Sequence, residues 1–267
     1  MKRNKQCFFD IEIEKQICED YQAGEGGATY LMKKYGAGSV QTIYSILKAY
    51  NIPRRSLADA RRVTLKYTLD ENCFSTCSTP EACYWLGVMY TDGYISKTNQ
   101  YTNYFGLSVQ EGDKEWIEKF KEFLHYSGEI HHYNVGSTGY KPGSPYVRLL
   151  VGNSKIVQDL EHFGVVEHKT TKINKLPEIP YLDDFIRGVV DGDGSLRKAA
   201  PDLRICGNYD FLVAIGEYLG YPYKLYPDKT IYDLTYNREY SRILEKRLYE
   251  NASVFLDRKY QIAKRSF

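Results

Sequence analysis

Two segments of this chain repeat one plan, and the repeat constrains the fold more than any other feature of the sequence. YWLGVMYTDGYIS at 84–96 and FIRGVVDGDGSLR at 185–197 are each an apolar run of helical character, with a glycine at the same offset and Asp-Gly at its end. An internal repeat indicates that one structural unit occurs twice in the chain. We therefore predict two related halves, each beginning with one of these runs, which we call the motif helices.

Small residues recur at i and i+4 in both motif helices: Gly87 and Thr91 in the first, Gly188 and Gly192 in the second. A glycine inside a globular helix costs about 1 kcal/mol relative to alanine, so it needs a packing reason. Positions without side chains let two helix backbones approach closely. We predict that the motif helices pack against each other at Gly87 and Gly188, across a pseudo-two-fold axis.

Packing the motif helices in this way brings together the aspartates at their ends, Asp92 and Asp193. Two adjacent carboxylates repel each other, and a divalent cation between them removes the repulsion. Mg²⁺ takes oxygen ligands and commonly uses one or two carboxylates together with phosphate oxygens, which suits a phosphodiester-cleaving site. Asp-Gly is also a common turn dipeptide, but two copies at matched offsets favour a metal site.

The same order of elements is predicted after each motif helix. Alternating and helical patterns indicate strand, strand, helix, strand, strand and helix, so that each half has the order αββαββα. In the first half we place strands at 94–98, 103–110, 128–135 and 145–152 and helices at 113–126 and 154–163. In the second half we place strands at 195–199, 202–207, 223–227 and 230–236 and helices at 209–219 and 238–250.

WLGVMYTDG and IRGVVDGDG resemble the two signature motifs of the LAGLIDADG homing endonucleases, and the resemblance extends over residues 79–267. The second copy is closer to the family pattern; in the first, Tyr90 stands where an acidic residue is usual. The resemblance implies an α+β fold in which two pseudo-symmetric αββαββα halves form a DNA-binding saddle. It also implies a site-specific endonuclease that acts as a monomer and makes a double-strand break across the minor groove of a long DNA target, with Mg²⁺ (or Mn²⁺) held by Asp92 and Asp193.

The resemblance further implies two catalytic lysines. In the family, a lysine that follows the last helix of each half faces the metals, and Lys169 and Lys259 match that place here. Such a cation would stabilise negative charge on the scissile phosphate or polarise water. A solvent-exposed surface lysine is the alternative at each position.

Three further residues are expected beside the metals from the same resemblance. Thr91 and Gly192 immediately precede the two aspartates. Gln110 matches a polar family residue at the end of the second strand, close to the metals. Its counterpart in the second half falls around Cys206 or Gly207, so that half is expected to lack the polar group.

Alternate residues of the strand that leaves each aspartate lie on one side of the sheet. This pattern predicts a DNA-facing set made of Tyr94, Ser96, Thr98, Ser195 and Arg197. Arg197 is the strongest candidate for reading a base, because arginine bridges O6 and N7 of guanine; contact with phosphate alone is the alternative. His131 and His132 are adjacent on a predicted strand and point to opposite faces, so they do not chelate one ion together.

The N-terminal part of the chain is basic and helical. Residues 1–66 contain 12 Lys and Arg against 7 Asp and Glu, whereas the rest of the chain carries 24 against 27. Three short helical patterns, with a glycine-containing turn before the last, resemble a helix-turn-helix domain of the resolvase type. That resemblance places the third helix in the major groove, and the predicted DNA contacts are Thr42, Ser45, Lys48, Arg54 and Arg55. A helical adaptor that only packs on the rest of the protein is the alternative.

These interpretations define the domain organisation. We predict a helix-turn-helix domain at 1–53, a linker at 54–80, the first half at 81–164, an inter-half linker at 165–180 and the second half at 181–267. No stretch approaches the roughly 20 apolar residues of a membrane helix, and the first residues lack the apolar core of a secretory signal. Six cysteines in 267 residues are too sparse for a disulfide framework. We expect a cytoplasmic or organellar protein that is not secreted, with double-stranded DNA as its partner and no membrane.

Two other functions are compatible with the same sequence. One is an RNA maturase that assists splicing of its own intron, with or without nuclease activity. The other is a DNA-binding regulator that does not cleave, against which the intact Asp92 and Asp193 argue.

Overall fold

The computed structural model describes residues 9–56, 59–60, 67–99, 102–136, 142–167, 169 and 172–267. The chain divides into two compact units, residues 1–68 (the N-terminal unit) and residues 69–267 (the body). Within the described ranges, no helix is long and apolar enough to cross a membrane.

The described part of the N-terminal unit includes the helices α1 (Ile11–Ala23), α2 (Ala28–Tyr35) and α3 (Val40–Ala49). Gly36 ends α2 with a φ of 69°, in the left-handed region that glycine enters without steric cost. Ser39 begins α3, because its hydroxyl accepts a hydrogen bond from Thr42 N at 3.3 Å. The helices enclose a small core of fully buried side chains, Ile17, Leu31, Ile43, Ile46 and Leu47.

The body contains two αββαββα halves. The first half consists of α4 (Pro80–Tyr90), β1 (Gly93–Asn99), β2 (Thr102–Gln110), α5 (Lys114–Phe123), β3 (His131–Asn134), β4 (Pro145–Gly152) and α6 (Ser154–His162). The second consists of α7 (Leu182–Asp193), β5 (Gly194–Leu196), β6 (Leu203–Gly207), α8 (Tyr209–Leu219), β7 (Tyr223–Asp228), β8 (Ile231–Tyr236) and α9 (Arg238–Tyr249), and α10 (Asp257–Ala263) follows. Each half forms an antiparallel four-stranded sheet, in the orders β1-β2-β4-β3 and β5-β6-β8-β7. The predicted α+β class and the repeated plan are confirmed.

Each sheet has one face in the hydrophobic core and one open face. Leu107 and Leu149 form a register pair in the first sheet and are fully buried, as are Ile205 and Leu234 in the second. Their neighbours along the strands point to the opposite side because side chains alternate. The open face of the first sheet therefore carries Tyr94, Ser96, Ser108, Tyr146 and Arg148, and that of the second carries Ser195, Arg204, Lys224, Tyr226 and Asp233.

The motif helices α4 and α7 contact each other directly through their glycines. A β-carbon added to Gly87 would lie 2.0 Å from the carbonyl oxygen of Phe185, and one added to Gly188 would lie 2.1 Å from that of Tyr84. Atoms of folded proteins do not approach this closely, so only glycine fits at either position. The predicted helix interface therefore has a direct steric basis in the structure.

Several element boundaries differ from the sequence prediction; β3 spans His131–Asn134 rather than 128–135, and α5 spans Lys114–Phe123 rather than 113–126. β5 ends at Leu196 rather than at 199, because Arg197 leaves the strand and pairs with Asp202 at 2.8 Å. The predicted linker at 54–80 is also too long. Phe74 is fully buried in the core of the body and packs edge-on against Phe123 at 5.3 Å, so residues 69–79 belong to the body.

Candidate active site

Asp92 and Asp193 lie at equivalent ends of the two motif helices. Asp92 follows the last residue of α4 and its cap Thr91, and Asp193 is the last residue of α7. Both residues have exposed surface, yet enough protein surrounds their carboxyl groups to remove part of the hydration. This burial, followed by the charge of Asp92, raises the pKa of Asp193 to about 6. Burial also raises the pKa of Asp92.

Lys259 lies beneath the end of the second motif helix. Its side chain is buried, and its Nζ lies within hydrogen-bond distance of four backbone carbonyls, which share its three N–H donors: Val190 at 2.7 Å, Asp191 at 2.7 Å, Gly192 at 3.1 Å and Gly194 at 2.7 Å. The last carbonyls of a helix have no partner within the helix, and a lysine that binds them also meets the negative end of the helix dipole favourably. Lys259 therefore caps α7 at the point where Asp193 emerges.

Lys169 occupies the matching position in the first half. Its Nζ donates hydrogen bonds to the carbonyls of Met89, at 2.8 Å, and Gly93. These two carbonyls correspond to those of Val190 and Gly194 in the repeat. The two lysines therefore obey the same pseudo-symmetry as the aspartates, although they come from segments without obvious similarity.

Four ionisable groups form one electrostatic cluster at the ends of the motif helices. Burial lowers the pKa of both Lys169 and Lys259 to about 8, while Asp92 and Asp193 each favour the charged form of both lysines. The positive charges of the lysines in turn oppose the rise that burial causes in the pKa values of both aspartates. Each lysine thus acts across the boundary between the halves, and not only on the carboxylate of its own motif helix.

The residues present fit a divalent cation only as a partial ligand set. Among the described residues, no three His, Cys, Asp or Glu side chains converge on a possible metal position. Thr91 turns its hydroxyl back onto the carbonyls of Gly87 and Val88, at 3.2 and 3.1 Å, and the carbonyl of Gly192 accepts from Lys259. The carboxylates of Asp92 and Asp193, whose mutual repulsion contributes to the raised pKa of Asp193, are the groups that a cation would satisfy.

A cleft beside Asp92 holds residues from both halves. Gln110, at the end of β2, lines it together with Asp92, and so do Asp113 and Arg258. Arg258 Nε contacts Asp113 Oδ2 at 3.1 Å and so links α10 of the second half to the start of α5 in the first. This ion pair is not predictable from the sequence, because 145 residues separate its members and neither lies in a motif.

The register of the sheets corrects the second-half counterpart of Gln110. Gly93 pairs with Leu107 and, in the repeat, Gly194 pairs with Ile205. Gln110 lies three residues after Leu107, and Asn208 lies three residues after Ile205. The counterpart of Gln110 is therefore Asn208, not Cys206 or Gly207. The second half therefore has a polar residue at this place, although Asn208 also caps α8 by accepting from Asp210 N at 3.0 Å. Cys206 donates instead to Asp233 on the neighbouring strand.

The predicted DNA-facing residues divide into three groups. Tyr94, Ser96 and Ser195 lie on the open faces of the sheets. Arg197 lies in the loop after β5 and is held by Asp202, which also pairs with Arg204 at 3.1 Å. The side chain of Thr98 is outside the described part of the structure. On β3, His131 lies opposite Arg148, whereas His132 contacts Glu111 at 3.0 Å, so the histidines do point to different sides.

In the N-terminal unit, the predicted contact residues differ in solvent exposure and in their contacts with other side chains. Ser45 and Lys48 are exposed on α3 and Thr42 is half-buried, and the exposed Gln41 extends this stripe toward the helix start. The guanidinium of Arg54 stacks on Tyr44 with its carbon 4.0 Å from the ring centre.

Arg55 serves the structure of the N-terminal unit. Its guanidinium stacks on Tyr21 at 4.0 Å and donates to the carbonyl of Gly26 at 2.9 Å, and its backbone N donates to the Tyr21 hydroxyl. The guanidinium of Arg55 is thus engaged within the N-terminal unit, by a partner 34 residues away in sequence, and its role as a DNA contact stays a prediction.

Charge is unevenly distributed within the N-terminal unit. Residues 9–25, which include α1, carry six acidic side chains and one lysine. Residues 26–56, which include α2 and α3, carry five basic side chains and no acidic one. The unit is therefore polarised, with its basic part on the two helices that form the predicted DNA-binding motif.

Asp191 is a buried acidic residue two positions before Asp193. Its carboxylate accepts hydrogen bonds from the hydroxyls of Tyr84, at 2.8 Å, and Tyr249, at 2.6 Å, and from Leu256 N at 2.8 Å. Burial raises its pKa, while these donors and the charge of Lys259 act in the opposite direction. Asp191 therefore joins the first motif helix to two segments of the second half.

The pseudo-symmetric counterpart of this contact is apolar. The repeat matches Tyr84 with Phe185 and Asp191 with Tyr90. The rings of Phe185 and Tyr90 meet edge-on, with their centres 4.9 Å apart. The replacement of the usual acidic residue by Tyr90 is thus matched by the loss of a hydroxyl at position 185.

Comparison with solved structures identifies the fold. The structure is similar to that of the LAGLIDADG homing endonuclease I-GzeII in complex with its DNA target, with a TM-score of 0.52 and 12% identity, over 71% of this chain and 88% of that chain. It is also similar to the LAGLIDADG meganuclease I-AabMI bound to uncleaved DNA, with a TM-score of 0.48 and 13% identity, over 70% and 88% of the two chains. No protein-family model and no curated protein matches the sequence. The likeness to I-GzeII shows that this chain has the LAGLIDADG homing endonuclease fold, as its two motifs predict.

Proposed function

We propose that this chain is a site-specific DNA endonuclease that hydrolyses one phosphodiester bond in each strand of a long duplex target. The observation that carries the proposal is the pseudo-symmetric pair of helix ends, each with an accessible aspartate above a lysine that binds the helix carbonyls. One such end serves each DNA strand. Because a single chain supplies both ends, a monomer is sufficient.

Mg²⁺ or Mn²⁺ is the cofactor that the two carboxylates suit. Asp92 and Asp193 would hold it, and DNA phosphate and water would complete a ligand set that the protein alone does not supply. When bound, such an ion activates water and stabilises charge on the phosphate. Its binding also favours the ionised form of Asp193, whose pKa is raised to about 6.

The chain's own lysines act on the phosphate. Lys169 and Lys259 are fixed by backbone carbonyls, so their charge needs no reorientation as negative charge develops during the reaction. Preorganised charge of this kind is more effective than a mobile surface lysine, because it favours the transition state over the ground state. Gln110 and Asn208 occupy equivalent places, where each can orient water or phosphate in its own half.

The open faces of the two sheets form the DNA surface in this proposal. They carry polar and basic side chains, including Arg148 in the first half and Arg204 in the second. I-GzeII, whose fold this chain shares, is described in complex with its DNA target. The cut then falls across the minor groove, between the two open faces, where the motif helices end.

The N-terminal unit serves as a second DNA reader. The uneven distribution of charge supports this role. Residues 26–56 carry five basic side chains and no acidic one, and although Lys34 pairs with Asp20 at 2.7 Å and with Glu25 at 2.6 Å, the remaining positive charge attracts the phosphate backbone. Gln41, Ser45 and Lys48 form the exposed stripe of α3 that would enter the major groove. The acidic α1 would then face away from DNA.

A selection experiment tests the nuclease. Duplexes that bind the full chain in EDTA are recovered from a randomised pool, and the recovered sequence (the selected duplex) is placed in a supercoiled plasmid. We expect linearisation in Mg²⁺ but not in EDTA. Asp92→Asn and Asp193→Asn should abolish double-strand cleavage while binding persists, because the metal ligands are lost and a negative charge near phosphate is removed.

Glu217→Gln is the matched control, because Glu217 is an exposed carboxylate near the end of α8, nine residues after Asn208. It should cut at the wild-type rate. Linearisation at the wild-type rate by either site variant would show that the carboxylates do not form the active site.

A further inference from the structure

A groove on the helix layer of the second half is lined by basic side chains, two of which have no side-chain partner among the described residues. The flank of α9 contributes Arg238, Arg242 and Lys246, the loop before β6 contributes residues 199–201, and the chain end contributes residues 265–267. Within the described residues, Arg238 and Arg242 make no hydrogen bond or ion pair, and Lys246 meets Glu250 at 3.4 Å. Unpaired arginines held along one helix flank favour an anionic partner.

This end of the body is basic although the body as a whole is not. Residues 197–204, 238–246 and 264–265 contain eight basic and three acidic side chains, whereas residues 67–267 together carry more acidic than basic ones. One of the three acids, Glu245, is fully buried and accepts from Ser266 at 2.6 Å. The local excess of positive charge therefore reaches the surface.

The groove is continuous with the open face of the second sheet. Arg204 lies on that face and shares Asp202 with Arg197 in the β5–β6 loop. Arg265 donates hydrogen bonds to the carbonyls of Arg197 and, at 3.1 Å, of Ala200, and so ties the same loop to the groove. A polyanion leaving the open face meets the loop and then the α9 cations.

The matching flank of α6 in the first half carries no such row of arginines and lysines. Asn153 caps α6 and Asn237 caps α9 in the same way, each accepting from the backbone N three residues later. This match places Ser154, Gln158 and His162 at the positions of Arg238, Arg242 and Lys246. The basic flank is therefore a property of the second half alone.

We propose that the target DNA, on leaving the open face of the second sheet, bends over the β5–β6 loop and contacts α9. The proposal rests on the proposed DNA binding of the open faces. Cations at i, i+4 and i+8 are spaced by about 6 Å along the helix, comparable with the roughly 6.8 Å that two phosphate steps of one strand advance along the duplex axis. The protein therefore holds a longer DNA segment on the side of the second half than on the side of the first.

Extended duplexes test this asymmetry in EDTA, where binding is measured without cleavage. The selected duplex is lengthened by about 15 base pairs on one side or the other, and the side of the second half is identified by the protection that Arg204→Gln removes. We expect tighter binding with the extension on the second-half side only. Arg238→Ser with Arg242→Gln, which installs the first half's residues, should remove the gain. It should lower the salt slope by about 2, equivalent to roughly 10- to 60-fold in affinity near 0.1 M salt.

Lys121→Gln with Lys155→Gln is the matched control, because it removes two charges from the helices of the first half. It should leave the dependence on duplex length unchanged. Equal binding of both extensions, or a gain that survives the α9 double variant, overturns this inference alone. Binding of single-stranded RNA is measured as well. If the α9 double variant loses RNA binding while its DNA footprint stays unchanged, the groove binds RNA and the inference is again overturned. A pool that yields no bound duplex overturns the proposed function as well.

Discussion

Replacing Gly188 by alanine tests whether close contact between the motif helices holds the two aspartates in place. A β-carbon there lies 2.1 Å from the carbonyl oxygen of Tyr84 and 3.0 Å from Val88 N. Both are backbone atoms of α4, so they cannot rotate out of the way as the end of a side chain can. The two helices must separate where they now touch.

The size of the effect follows from that separation. Ordinary contact between non-bonded atoms begins near 3.5 Å, so the helices must move apart by roughly 1.4 Å at Gly188. Forcing extra atoms into a packed core costs about 1–3 kcal/mol, and the better helix propensity of alanine offsets up to about 1 kcal/mol of it. We expect a net loss of about 1–2 kcal/mol, which lowers the Tm of a unit of this size by about 2–8 °C.

Tryptophan fluorescence is the appropriate assay. The chain has two tryptophans, Trp85 and Trp116, and both are buried in the body, so their emission follows the unfolding of the body alone. Gly136→Ala is the control, since a β-carbon there has nothing within 4 Å. Cleavage of the selected duplex should slow as well, because Asp92 and Asp193 lie at the ends of the displaced helices. A Gly188→Ala protein with a Tm at or above that of wild type would refute the steric argument.

Three further predictions concern charge. The kcat/KM of cleavage should fall below pH about 6, because Asp193 takes up a proton. It should also fall above pH about 8, because Lys169 and Lys259 lose their protons. A profile that is flat from about pH 5 to about pH 9 would show that these groups do not act together in cleavage. Lys169→Met and Lys259→Met should each slow single-turnover cleavage about tenfold to a thousandfold, with a smaller loss of binding and unequal nicked intermediates. The exposed Lys175→Met is the control, and wild-type rates in both variants would make the lysines structural only. Removing residues 1–66 should shorten the footprint and flatten the salt dependence of binding while cleavage persists; an unchanged footprint and slope would identify an adaptor.

The sequence predicts the scaffold well because the scaffold depends on local pattern. The glycines at positions 87 and 188 have a single physical explanation, and the repeat supplies the pairing that one motif alone would lack. Lys169 and Lys259 were placed by family resemblance across poorly matched segments. Their equivalence becomes evident only when the carbonyls of Met89 and Val190 are seen as their partners.

Features that depend on long-range register or packing were not accessible from the sequence. The correspondence between Asn208 and Gln110 follows from the pairing of the strands in each sheet. The sequence does not show this pairing, and an error of one or two residues in a short strand changes the match. Arg55 is a residue type that commonly contacts DNA, but its guanidinium stacks on the ring of Tyr21, which lies in α1 and far from it in sequence. The Asp113–Arg258 pair likewise joins elements from different halves.

Two contacts between the halves favour the pairing of unlike halves. One joins Tyr84 to Asp191, and its apolar counterpart joins Phe185 to Tyr90. Two copies of the second half would set Phe185 against Asp191, and a buried carboxylate that loses a donor costs about 1–3 kcal/mol. Two copies of the first half would bury the Tyr84 hydroxyl against Tyr90 without its carboxylate acceptor. Each half therefore discriminates against itself and in favour of the other. Although the order of its elements is symmetric, the body therefore consists of two halves whose contact residues differ, and each half packs better against the other than against a copy of itself.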